Sequence, residues 1–126
     1  MNPISDMITR IRNSKLKLNR EVSFPFSKFK LVIAEKIKSS GYFSEVWTSK
    51  DKRLIKAKIK YFNKDSIIKE IVIISKPSKR IYLTKDKIKK SCIGKKNFFV
   101  TTSQGLLTHK EAIDKGLGGE LMFFIS

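Results

Sequence analysis

The chain has 126 residues and carries 28 Lys plus Arg against 11 Asp plus Glu, a formal charge of +17 with its single histidine neutral. That length holds one domain or two very small ones, and 40% hydrophobic residues with nine Phe are too apolar for a disordered basic tail. No run approaches the roughly 20 apolar residues that span a bilayer, no cleavable signal stands at Met1-Asn2-Pro3-Ile4, and one Cys with one His supports neither an internal disulfide nor a four-ligand zinc cluster.

The expectation is a soluble, intracellular, folded and strongly cationic protein. Such a field repels itself unless a polyanion neutralises it, which favours nucleic acid ahead of an anionic membrane surface or an acidic protein. Lysines outnumber arginines 23 to 5. Lysine is a flexible point charge suited to backbone phosphates rather than to bidentate reading of base edges, although Lys and Ile enrichment also follows from an AT-rich genome.

In chain order, Ile4, Met7, Ile8 and Ile11 lie at the spacing of one apolar helix face, with Ser5 or Asp6 as a cap and Arg10, Arg12 and Asn13 pointing elsewhere. A basic loop, Lys15 to Arg20, follows. After an extended piece at Val22 to Phe24, Pro25 breaks the chain and Ser27 caps a second helix to about Ser40, ended by Gly41. Its expected inner stripe is Phe29, Val32, Ile33 and Ile37, with Lys28, Lys30, Lys36 and Lys38 outside. From Tyr42 the period becomes two: Phe43 to Thr48 is a strand, Ser49 to Arg53 a turn, and Ile55, Ala57, Ile59 and Tyr61 alternate with Lys56, Lys58 and Lys60.

The polar stretch Asn63-Lys64-Asp65-Ser66 is the expected boundary between domains 1–64 and 65–126. Ile67 to Ser75 holds a β-branched run without clean alternation, either a strand buried on both faces or a strand edge against another domain. Pro77-Ser78 turns the chain into a short strand, Arg80 to Leu83. The basic connection Lys85 to Lys96 contains a short helical piece and Gly94. Phe98-Phe99-Val100 then delivers Thr101-Thr102-Ser103-Gln104-Gly105, a hydroxyl-rich turn closed by glycine, before Leu106-Leu107 re-enters the core. Thr108-His109-Lys110-Glu111 is a capping box for a helix ending at Gly116, and Gly118-Gly119 leads to a last strand, Leu121 to Ile125. The fold class is therefore α+β: two small α/β domains, the first two helices with a small antiparallel sheet, the second mostly β with a short helix.

Enzymatic readings fare poorly. His109, at the second position of the capping box, is expected at the surface. Cys92 stands among lysines that favour its thiolate, yet a lone cysteine among apolar and small residues is most often inert. Gly116-Leu117-Gly118-Gly119 follows a helix and precedes a strand, the reverse of a dinucleotide fingerprint. The hydroxyl turn is the unusual feature. Thr101, Thr102, Ser103 and Gln104 beside Gly105 supply short donors and acceptors able to enter a shallow groove and touch 2′-hydroxyls, phosphates and base edges, or equally to satisfy their own backbone. Tyr82 is placed either to stack on an unpaired base or to pack in a core or interface.

Three blocks, Ile4-Ser5-Asp6-Met7-Ile8-Thr9-Arg10-Ile11-Arg12-Asn13, Lys76-Pro77-Ser78-Lys79-Arg80-Ile81-Tyr82, and Thr101 to Thr108 leading to Gly116-Leu117-Gly118-Gly119-Glu120, resemble ribosomal protein eight of the small subunit, bacterial type, in order and across nearly the whole chain. The resemblance implies a non-enzymatic primary rRNA-binding protein without cofactor, metal or small-molecule substrate. It would sit on the central domain of small-subunit rRNA beside neighbouring ribosomal proteins, help organise the platform, and in bacteria also repress its own operon's mRNA. By position it places Thr101, Thr102 and Ser103, with Gln104 and Gly105, in an rRNA helix, with Tyr82 and Glu120 nearby, Lys28 and Lys30 as basic contacts of the first domain, and Thr9, Arg12 and Asn13 as further contacts.

The family usually has Gly where Ser78 stands and Ser where Thr101 stands, so the Pro77 turn is expected to change type or strain its serine. The Lys and Ile bias suggests a plastid or other organelle, or an AT-rich bacterium. The alternative from another class is a nonspecific cationic protein that coats DNA or anionic lipid.

Overall fold

A computed structural model describes residues 3–16, 20–62, 65–92 and 94–126, so residues 17–19 of the basic loop, 63–64 of the expected boundary and Ile93 of the basic connection lie outside the described residues. The chain forms two compact units, Met1–Lys69 and Glu70–Ser126, in an α+β architecture. Counted over the sequence, 17 basic and 6 acidic side chains give the first unit +11, and 11 basic and 5 acidic give the second +6.

The first unit contains α1 (Pro3–Leu16), β1 (Glu21–Pro25), α2 (Lys28–Ser39), β2 (Phe43–Thr48), β3 (Leu54–Ile59) and a ribbon of β4 (Tyr61–Phe62) and β5 (Asp65–Ser66). Pro3 opens α1 at the position where its missing N–H is not needed. Ser5 and Asp6, expected as caps, therefore lie inside the first turn. Asp6 accepts from Arg10 one turn on at 2.9 Å, and Arg10 also donates to the Ser23 carbonyl at 3.3 Å, tying the helix to β1. Ile4, Met7, Ile8 and Ile11 are buried as their spacing predicts.

The sheet order is β1-β3-β2, all antiparallel, with Phe24 opposite Ile55 and Val22 and Val46 both opposite Ala57. Ile55, Ala57 and Ile59 are buried on one face. On the other, Lys56 and Lys58 meet Glu21 at 3.9 Å and Glu45 at 3.3 Å. Against this sheet α2 buries Ile33 and Ile37 of the expected stripe together with Lys30 and Ala34, while Phe29 and Val32 are 43% and 49% exposed. The centre of the buried arc falls between Ile33 and Ala34 because alanine lets the helix approach the sheet, and Lys30 enters by its aliphatic stem. Its ammonium donates to the Pro25 carbonyl at 3.4 Å, so Lys30 is not on the outer surface.

The first unit runs to Lys69 rather than to residue 64. Tyr61 pairs with Ser66, Ile67 N–H returns to the Lys60 carbonyl at 2.9 Å, and Ile68 is fully buried.

The second unit contains β6 (Ile71–Ile73), β7 (Tyr82–Leu83), α3 (Lys85–Ser91), β8 (Asn97–Thr102), β9 (Gly105–Thr108), α4 (His109–Lys115) and β10 (Gly119–Ile125). Its order is β6-β10-β8-β9, with β7 also on β10, all antiparallel. Only Ile71–Ile73 of the β-branched run is a strand, and it lies at the sheet edge. Ile88, Cys92, Phe98, Val100, Leu121 and Phe124 form one core cluster; Phe99 and Phe123, paired across β8 and β10, stack at 4.6 Å.

Candidate nucleic-acid interface

The β8–β9 hairpin places the hydroxyl turn at its tip, with Thr102 paired to Gly105. Ser103 and Gln104 keep negative φ while Gly105 takes +102°, the combination of a type I turn followed by a glycine bulge. Thr102 holds this shape: its Oγ1 donates to the Gly105 carbonyl at 2.8 Å and accepts from the Gln104 N–H at 3.1 Å. Ser103 and Gln104 are exposed. The three hydroxyls thus have three different situations, and Ser103 alone is exposed at the tip.

Thr101 is directly opposite Glu120, which is directly opposite Tyr82. These three share one sheet face, and Tyr82, 65% exposed, stands two strand spacings, about 10 Å, from Thr101. The Glu120 carboxylate faces Arg80 at 3.1 and 3.4 Å. Thr101 Oγ1 is buried with no hydrogen-bond partner. An orphaned hydroxyl costs about 1–3 kcal/mol, so Thr101→Val, which keeps the shape, is expected to raise the thermal midpoint; a lowered midpoint would show that the hydroxyl is satisfied.

Gly118 and Gly119, which the sequence shows only as the lead into the last strand, are steric requirements. A Cβ at Gly118 would stand 2.5 Å from the Leu83 carbonyl oxygen, and one at Gly119 would stand 2.2 Å from that of Thr101. The pair lets the start of β10 run against β7 on one side and the hydroxyl strand on the other. The Pro77 turn is closed by Lys79 N–H to the Lys76 carbonyl at 2.9 Å, and Ser78 has no positive φ. Both central φ are therefore negative, as in a type I turn, a form that a serine adopts without strain.

The model of the family described as Ribosomal protein S8 matches residues 2–125. The chain is 41% identical over 128 residues to the small ribosomal subunit protein uS8 of Thermodesulfovibrio yellowstonii, covering 98% of this chain and 97% of the relative. It is 36% identical to that of Pseudoalteromonas atlantica (99% and 97% covered) and 38% to that of Thermosipho africanus (98% and 97% covered). The chain belongs to the ribosomal protein S8 family. Members are non-enzymatic components of the small ribosomal subunit, and this chain is a ribosomal protein of that kind.

In the first unit of this S8-family chain, the expected contact residues are scattered in availability. Lys28, in the first turn of α2, is exposed, whereas Lys30 is buried. Thr9, Arg12 and Asn13 share the solvent side of α1, with the Thr9 hydroxyl bonded back to the Ser5 carbonyl at 2.8 Å. Among the described residues no cluster of His, Cys, Asp or Glu could hold a metal, and no helix is long and apolar enough to cross a membrane.

The two groups weighed for catalysis are both buried. Burial pushes the Cys92 thiol up to about 11, so the nucleophilic thiolate is scarce at neutral pH. His109, expected at the surface, is 4% exposed. The β8–β9 pairing ends at Phe99 and Thr108, so the Phe98 N–H lies beyond the end of β9 and donates to His109 Nδ1 at 3.1 Å, with the two rings edge to face at 5.6 Å.

Burial, then the neighbouring Lys110 charge, lower the His109 pKa from its ordinary 6.5. The unfolded chain therefore binds this proton first. The stability contributed by neutral His109 is complete above pH 6.5 and is lost as pH falls through the lower folded value. Urea midpoints are expected to drop between pH 7.5 and 5, and His109→Asn, whose carbonyl can still accept from Phe98, is expected to flatten that drop; an equally steep variant would assign the loss elsewhere.

Proposed function

We propose that this ribosomal protein binds a folded helix in the central domain of small-subunit rRNA, with the hydroxyl turn supplying selectivity and the lysines most of the affinity. The observation that carries the reading is the uncharged tip Ser103-Gln104, held open by Thr102 on a protein of +17. Its donors and acceptors have the reach to enter an RNA minor groove and meet 2′-hydroxyls. Tyr82 offers a ring for an unstacked base, and Arg80, paired with Glu120 in the free protein, lies within reach of phosphate.

In this reading Ser103 and Gln104 make the contacts, Thr102 and Gly105 shape the turn, and Thr101 and Glu120 seat it on the sheet. Lys28 and the α1 face of Thr9, Arg12 and Asn13 add backbone contacts, whereas Lys30 holds α2 to β1. Binding there would help organise the platform among neighbouring ribosomal proteins, and an mRNA hairpin mimicking the rRNA helix would occupy the same surface and repress the chain's own operon. The Lys-rich, Ile-rich composition fits translation in a plastid or other organelle, or in an AT-rich bacterium.

Hydroxyl-radical footprinting on full-length small-subunit rRNA tests this. Protection is expected to cluster within the central domain; protection spread evenly along the RNA would favour a nonspecific cationic coat.

A further inference from the structure

The first unit carries a cleft of about 350 Å³ lined by Arg20, Ser44, Lys58, Ile59, Lys60 and Tyr61, within the roughly 300–1,000 Å³ of small-ligand sites. A strand irregularity shapes it. The β2 register slips between Phe43 and Glu45, and Ser44, left out of the pairing, bonds the Lys58 carbonyl at 3.4 Å; such bulges often sit beside binding sites. Buried Ile59 contributes apolar surface, and its N–H anchors the Arg20 carbonyl at 2.7 Å.

Two chemistries converge on it. The Arg20 guanidinium lies 5.6 Å from the Tyr61 ring centroid, giving a planar, polarisable wall. Lys58 and Lys60 add two ammonium groups. Arg20 and Lys60 have no carboxylate partner among the described residues, and Lys58 has only the exposed Glu45 at 3.3 Å, a pair too weak to resist a phosphate.

We propose that this cleft binds one unpaired nucleotide of an RNA strand, its base stacked on the Tyr61–Arg20 wall and its phosphate between Lys58 and Lys60. The assignment rests on the rRNA reading above and adds to it a single-strand site in the other unit. Cations alone would attract any polyanion; the aromatic wall beside Ile59 selects one that carries a planar base, which neither duplex DNA nor a lipid headgroup presents.

Trp47, the chain's only tryptophan, lies 5.8 Å from the Lys58 ammonium and reports the cleft. In titrations of the full chain followed by Trp47 emission, hexauridylate is expected to change the signal and to bind roughly tenfold tighter than an abasic hexanucleotide of equal charge. Tyr61→Leu is expected to erase that advantage, and Arg20→Ala, at an exposed residue, to reduce it even if the tyrosine variant misfolds. Equal affinity for the two probes, or an undiminished advantage in both variants, would overturn the proposal. Affinity for a central-domain rRNA fragment over duplex DNA is measured alongside: its absence in the wild type would sink the rRNA reading, while its presence in a wild type that binds the two hexanucleotide probes equally would sink the cleft proposal alone.

Discussion

Gly119→Ala is expected to destabilise the second unit by about 3 kcal/mol, the upper range for overpacking a tight site. The new methyl would stand 2.2 Å from the Thr101 carbonyl oxygen and 2.9 Å from its carbon. Both atoms are backbone, so no rotamer relieves the contact and β10 must move away from β8 where the hydroxyl turn begins. Gly105→Ala provides the contrast. Nothing lies within 4 Å of its added carbon, and only the φ of +102° is strained, at about 1–2 kcal/mol. Urea unfolding should therefore rank wild type, Gly105→Ala and Gly119→Ala in falling midpoint. A wild-type midpoint for Gly119→Ala would contradict the close approach of the two strands.

Replacing Thr102 and Ser103 together by Ala is expected to weaken binding to a central-domain rRNA fragment by about 2 kcal/mol, close to thirtyfold. Ser103 loses the exposed hydroxyl assigned to the RNA. Thr102 loses the two bonds, 2.8 and 3.1 Å, that hold the tip. Neither substitution removes charge, so the salt dependence should not change. Lys28→Ala should do the reverse, lowering the salt slope by about 1 with a modest effect on selectivity.

Much of the fold was legible because its determinants are local. The α1 stripe and the Thr108–Glu111 capping box need only residues a turn apart, and both form as expected. Half of the α2 stripe, Ile33 and Ile37, packs as its spacing predicts, but Phe29 and Val32 look like core and are exposed, while a small alanine and the stem of Lys30 fill their places. No local pattern could bury His109, since its place is set by a Phe98 N–H left over where β9 ends. The hydroxyl turn was legible as unusual, but which hydroxyl is exposed, stapling or orphaned depends on the Gly105 dihedral and the Thr101–Glu120 register. The Gly118-Gly119 pair carries its meaning in tertiary distances to Leu83 and Thr101.

The central claim, that a neutral turn on a cationic body selects one RNA, is tested most directly by equilibrium competition between a central-domain rRNA fragment and duplex DNA of equal length in moderate salt. The wild type should prefer the fragment strongly, and the Thr102→Ala, Ser103→Ala variant should lose most of that preference while keeping its affinity for DNA. Equal affinity of the wild type for both nucleic acids, or an undiminished preference in the variant, would contradict it.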